Sequence, residues 1–269
     1  SRRRHTRFRN VTGVQTCALP ISKFIRQEAT LNSAKLFGMT LTMPVGDCLT
    51  DRMTKWDKSL DKKELFMYPV GDIDFIRPLY NEFERCRVAW DTKKNLLFYR
   101  GSIGGYGGKE NLRLQCVTRL IGVPNTDVKF IKYRTEVLEG TGYSDKDTDL
   151  FGDFVPMEKS CEYKAIMSIG GLENIATNIQ WIFASGSIPV LAMGGNDFWF
   201  RKYLVHGQNC LMVKDDLSDL EDVVKYIFED DTRARKIAEN ALEFCRDYLS
   251  PDFQRRYIKE SIDTILCEP

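Results

Sequence analysis

KAIMSIGGLENIATNIQWIFASGSIPVLAM, residues 164 to 193, reads as a strand, a glycine turn, a helix and a second strand. Ala165 to Ile169 is short, apolar and uncharged, as suits a strand buried on both faces of a parallel sheet. Gly170-Gly171 ends it. Ile175, Ile179, Ile182 and Phe183 then recur at the spacing of one helical face, while Thr177, Asn178, Gln180, Trp181 and Ser185 point elsewhere. Asn174 is placed to serve as N-cap, Gly186 to close the helix, and Ile188 to Ala192 to return as the next strand. Strand, helix and strand make one right-handed crossover, the building unit of a parallel α/β sheet.

Such a unit brings the free amides of a helix N-terminus to the carboxyl edge of a sheet, where an anion such as a diphosphate is stabilised. Two readings of Gly170-Gly171 therefore stand, an anion-binding turn and a plain tight turn between strand and helix. The stretch contains neither GxGxxG nor GxxxxGK[ST], so it carries no dinucleotide fingerprint and no P-loop.

Upstream, NLLFYRGSIGGYGGKENLRLQCVTRL, residues 95 to 120, repeats the pattern. Leu96 to Tyr99 is a buried strand with Arg100, Gly101 and Ser102 at its end. A loop through Gly104, Gly105, Gly107 and Gly108 follows, and a helix from about Glu110 puts Arg113 one turn inside. Two arginines flanking a loop of free amides suit a diphosphate, because guanidinium pairs with phosphate oxygens in bidentate fashion. The other reading is a surface loop with two incidental arginines. Val128 to Tyr133 is the next strand, and Thr135 to Asp153 is an acidic, glycine-containing loop without period.

Downstream, the aromatics of Asn196 to Tyr203 suit packing, and His206 to Asn209 form a turn into the strand Cys210 to Val213. Three helices follow, Leu217 to Glu229, Asp231 to Leu249 and Pro251 to Leu266. Alternation of strands and helices throughout gives an α/β fold with a parallel sheet.

Toward the N-terminus, Ser22 to Phe37 has helical spacing and Met39 to Val45 reads as a strand followed at once by Gly46-Asp47-Cys48. A carboxylate just past a strand end is a common place for a catalytic group and equally for a turn residue. Leu65 to Val70 is a short strand and Ile76 to Trp90 a helix. Residues 1 to 21 read differently. SRRRHTR and VTGVQTCALPI match, in order, the translation of a sequencing-library adapter, so this segment is expected to lie outside the natural protein. The competing reading is an arginine-rich tail.

The chain has 39 Lys+Arg against 38 Asp+Glu, and residues 1 to 21 hold five of the arginines and no acid. The remainder is mildly acidic, which excludes an electrostatic footprint for nucleic acid. Of its 2 histidines, only His206 lies beyond that segment, which excludes a histidine-rich metal site. The cysteines are scattered with no CxxC and fit buried thiols in a reducing compartment. No apolar run reaches the ~18 residues of a membrane span.

With FYRGS, NLR, PMEKSCEYK, ATNIQWIFASGSIPVLA and VKDDLSDLEDVVKYI in view, the chain resembles family 90 glycosyltransferases, the capsule-associated-protein and protein O-glucosyltransferase group. The resemblance runs from about Asn95 to the C-terminus. It implies a GT-B-like architecture, with residues 95 to 269 as a Rossmann-like nucleotide-sugar domain and residues 22 to 94 as a truncated acceptor-side half. It implies transfer of a sugar, glucose or xylose, from a UDP-sugar to a hydroxyl of a glycan or protein, as in capsule or lipopolysaccharide modification. No metal and no cofactor beyond the UDP-sugar co-substrate is implied.

Residue by residue, the resemblance assigns Arg100, Gly101, Ser102 and Arg113 to the diphosphate, and Gly171, Asn174, Ala176, Thr177 and Asn178 to the turn and helix start against the donor. Asp47 matches the catalytic base. The chain departs from the family in a turn one residue longer, Gly170 to Asn174, and in Asn178, where some members carry arginine. Those departures leave a second reading, a catalytically silent nucleotide- or glycan-binding relative. A third, a nicotinamide-linked oxidoreductase, shares the α/β signal and lacks the glycine fingerprint.

Overall fold

The computed structural model describes residues 83–103, 111–131, 138, 141–144, 146–170, 176–194, 200–257 and 260. Readings on residues 1–82, Asp47 among them, and on Gly171 and Asn174 fall outside the described residues. Five strands form one sheet: β1 (Lys94–Gly101), β2 (Thr126–Phe130), β3 (Tyr163–Ile169), β4 (Ile188–Ala192) and β5 (Leu211–Met212). Their spatial order is β2-β1-β3-β4-β5, and every pairing is parallel. The helices are α1 (Leu112–Arg119), α2 (Ala176–Ala184), α3 (Leu220–Glu229) and α4 (Asp231–Tyr248), with a further helical segment at 251–257.

The central unit folds as its pattern dictates. β3 and β4 pair in register, Ala165 with Ile188 through Ile169 with Ala192. All five side chains of β4 are buried, each large one contributing roughly 1.5–3 kcal/mol. Gly186 takes φ +69°, the left-handed conformation that ends a helix. α2 is less two-faced than its polar residues suggest: Gln180 and Ser185 are buried with Ile179, Ile182 and Phe183. Sheet and C-terminal helices enclose it from both sides, and the Gln254 amide donates to Gln180 Oε1 at 3.2 Å.

Alternate strand residues serve two cores. Leu97, Tyr99, Ala165, Met167, Val190 and Leu211 pack with Leu114, Cys116 and Val117 of α1 and with Val223, Val224 and Ile227 of α3. Leu191 and Met193 join Ile179 and Phe183 of α2 and the buried Phe200 in the other. α4 reaches both, giving Ala234, Ile237 and Ala238 to the first and Ala241, Phe244 and Cys245 to the second. The described cysteines Cys86, Cys116, Cys161, Cys210 and Cys245 are free thiols, all but Cys86 buried. Among the described residues no helix is long and apolar enough to cross a membrane.

Among the boundaries that differ from the sequence reading, three have a clear local reason. β2 begins at Thr126 instead of Val128, because Asn125 turns the chain at φ 62° and the Thr126 hydroxyl donates to the Val123 carbonyl at 2.7 Å. α1 begins after Asn111, whose side chain accepts from the Leu114 amide at 3.0 Å and so caps the helix. α3 begins at Leu220 instead of Leu217, since buried Leu217 sits at φ 59°, outside helical space.

Candidate functional site

The strand order reverses between β1 and β3. From β1 the chain builds outward to β2 on one side, then crosses back to start β3 on the other. At such a reversal the connections leave neighbouring strands in opposite directions, and a crevice opens beyond their carboxyl ends. Here the reversal falls between Gly101-Ser102-Ile103 and Ile169-Gly170, and α1 and α2 follow these strand ends in the chain. The ends of β1 and β3 thus lie side by side at one sheet edge, and Ala176, Thr177 and Asn178 open α2.

Arg113 occupies the first turn of α1. Its Nη1 donates to the Ser102 carbonyl at 3.1 Å, holding the end of β1 against the helix. Its Nε is buried and has no hydrogen-bond acceptor among the described residues. A buried guanidinium N–H without an acceptor costs about 1–3 kcal/mol or more, and an anion arriving at this edge would recover it. Asn111 strengthens the frame, since it caps α1 and also reaches the Ile103 carbonyl at 3.5 Å.

Arg100 ends on the opposite face of β1, with different partners. It pairs with Asp127 of β2 (2.7 Å), donates to the carbonyls of Tyr99 and Asp127 (2.9 Å each) and Asp153 (3.3 Å), and lies over the Phe98 ring. The guanidinium thus fastens β1, β2 and the segment near Asp153 together. Gly101 and Ser102 between the two arginines are half-buried.

Two contributors to this edge escape a sequence reading. Tyr99 is buried, and burial pushes its phenol up to about 12 while the nearby Arg113 charge pulls the other way. Its ring tip fills the space beside Gly101: a Cβ there would lie 2.4 Å from Tyr99 Oη. Asp127 holds Arg100 from 27 residues away, a pairing that only the register Phe98 to Asp127 creates. We expect Gly101→Ala to cost about 1–3 kcal/mol and to lower the melting temperature by about 2–4 °C per kcal/mol. An unchanged melting temperature by calorimetry would show that the ring moves freely and that the glycine is dispensable.

Residues 77–263 match the model of Glycosyl transferase family 90. The chain belongs to this family. Family membership fits the edge just described, where two strands that each lead to a helix pair at a strand-order reversal. The chain is 23% identical over 167 residues to the O-glucosyltransferase LpsA of Dichelobacter nodosus, an alignment covering 62% of this chain and 48% of that protein. It is 22% identical over 186 residues to the uncharacterized protein 035R of Invertebrate iridescent virus 3, covering 66% of this chain and 17% of that one. The chain therefore spans about half, or less, of the length of these curated relatives.

Among solved structures, Anabaena HepE in complex with UDP and glucose superposes with a TM-score of 0.50 at 12% identity, covering 88% of this chain and 67% of HepE. HepE in complex with UDP-glucose gives the same TM-score and identity, with 88% and 68% covered. The likeness is one of fold, and it bears out a GT-B-like α/β arrangement.

Proposed function

We propose that this protein moves a sugar, glucose or xylose, from a UDP-sugar to a hydroxyl of a glycan or protein acceptor. The observation that carries the reading is the Nε of Arg113 at the β1/β3 reversal, buried and without an acceptor among the described residues. Such an edge suits a diphosphate, because a helix N-terminus and a guanidinium both favour negative charge there. The names of LpsA and of the HepE complexes point the same way.

In this reading Arg113 contacts the diphosphate directly. Arg100 acts from its ion pair with Asp127, keeping Gly101 and Ser102 in place. Gly171 and Asn174, with Ala176, Thr177 and Asn178, line the donor from the β3 side. Asp47 takes the acceptor hydroxyl's proton as the new C–O bond forms at the anomeric carbon, and the anomeric C–O bond to the diphosphate breaks with its electron pair leaving on UDP. Arginine and helix amides stabilise that developing charge without requiring a divalent cation.

The test is a calorimetric and thermal-shift titration with UDP, UDP-glucose, UDP-xylose and NAD, with and without EDTA. Saturable UDP binding that EDTA leaves unchanged, with no response to NAD, is the expected result. No UDP binding by the folded chain would sink the donor site, and UDP binding without sugar transfer or donor hydrolysis would identify a silent relative instead.

A further inference from the structure

A concave site lies beside the reversal, over β1 and β2. Arg100, Asp127, Lys129, Ile131, Phe151 and the segment Gly152–Phe154 line a cavity of about 660 Å³, within the range of about 300–1,000 Å³ usual for small-molecule sites. Its floor is the sheet face that carries Phe98 and Arg100 of β1 and Asp127 and Lys129 of β2, paired in register. Its wall is the chain just before β3, where Phe151 bridges to Phe130 and the Gly152 amide donates to the Phe130 carbonyl at 2.8 Å. Gly152 permits this closeness, because a Cβ there would stand 2.9 Å from Arg100 Nε.

The lining has a definite chemical character. Two cations and two carboxylates, Arg100 and Lys129 with Asp127 and Asp153, leave no net charge, so neither a phosphate nor a polycation is favoured. Arg100 and Asp127 satisfy each other. Lys129 and the Asp153 carboxylate have no ion pair among the described residues. At the rim stands Phe154, 73% exposed, the most exposed large apolar side chain among the described residues. An open aromatic face beside an uncommitted ammonium and an uncommitted carboxylate fits a pyranose. The C–H face of the sugar packs on the ring, and its hydroxyls donate to carboxylate and accept from ammonium in the same pocket.

We propose that this cavity binds a neutral saccharide unit of the acceptor. Its role as acceptor rests on the glycosyltransferase reading above; saccharide binding itself does not. The cavity adjoins the carboxyl end of β1, one side of the reversal where the donor is placed, on the sheet face opposite α1. With cations and carboxylates balanced in its lining, the pocket gains nothing from a charge on the glycan.

The experiment is an amide-resolved NMR titration of the full chain with maltose, cellobiose, lactose and maltotriose, with UDP and inorganic phosphate as controls. At least one saccharide is expected to shift the amides of Gly152, Asp153 and Phe154, and Phe154→Ala is expected to weaken it about tenfold. Lys129→Gln should weaken it in the same direction, and both variants should keep the wild-type melting temperature and UDP affinity. Silence of these amides toward every saccharide, undiminished binding by Phe154→Ala, or shifts of the same amides by UDP or phosphate would each overturn the assignment. UDP binding with silent saccharides removes this site alone, whereas saccharide shifts without UDP binding remove the donor reading alone.

Discussion

Replacing Arg113 with alanine is expected to weaken UDP binding by about 10- to 100-fold while leaving the protein folded. The size follows from removing a charge-assisted hydrogen bond to phosphate, worth about 1.5–3 kcal/mol, at 1.4 kcal/mol per tenfold. The structural cost is small, since among the described residues the side chain makes one hydrogen bond to the frame, Nη1 to the Ser102 carbonyl. That bond is worth about 1 kcal/mol. Arg113→Lys should recover only part of the affinity, because an ammonium cannot offer two parallel donors. Arg100→Ala supplies the contrast. It removes an ion pair and the hydrogen bonds to the carbonyls of Tyr99, Asp127 and Asp153, so its larger effect should be on stability, with reduced UDP affinity following from the loosened end of β1. Calorimetric titration of the three variants beside unfolding curves separates the two roles. Unchanged UDP affinity in Arg113→Ala would remove the diphosphate from this edge.

The parts of the molecule legible in its sequence are those with a local physical cause. Ile188 to Ala192 could only be a buried strand, Gly186 could close a helix, and both glycine turns could be placed at strand ends. The strand order observed sets the ends of β1 and β3, from which those turns lead, side by side. What the sequence concealed depends on register. Nothing in FYRGS reveals that Arg100 faces Asp127 while Arg113 faces Ser102, because alternation along β1 sends neighbouring side chains to opposite faces. The burial of Gln180 and Ser185 was hidden likewise, since the helix packed over α2 enters the chain some 70 residues later, Gln254 against Gln180. The family resemblance was carried by motifs spread over the same turns, and the match over residues 77–263 bears it out.

Lys93 provides an expectation of comparable size at the far edge of the sheet. It precedes β1, is 6% exposed, and its ammonium reaches the Cys161 carbonyl (2.5 Å), Ser187 Oγ (3.0 Å) and the Ser185 carbonyl (3.4 Å). One buried cation thus joins the start of β1, the turn before β3 and the end of α2, where a positive charge also complements the helix dipole. Burial lowers its pKa from 10.5 to about 8, with Cys161 raising it and Arg87 lowering it to lesser extents. Between those values the unfolded chain holds a proton that the folded chain has released, so stability contributed at this site rises with pH. The gain over that window is about 3 kcal/mol at 1.36 kcal/mol per pH unit.

Cys210 acts with the opposite sign. Burial pushes its thiol from 9 up to about 12, so above the lower value the folded chain binds more protons and stability falls. The total alkaline profile therefore mixes both effects, and the informative quantity is the difference between wild type and Lys93→Met in urea unfolding. That difference should move in favour of wild type by about 3 kcal/mol as pH rises from 8 to 10.5. A difference that stays flat would mean that the ammonium is as well solvated by its three oxygen partners as by water, and that the staple at this edge carries no desolvation penalty.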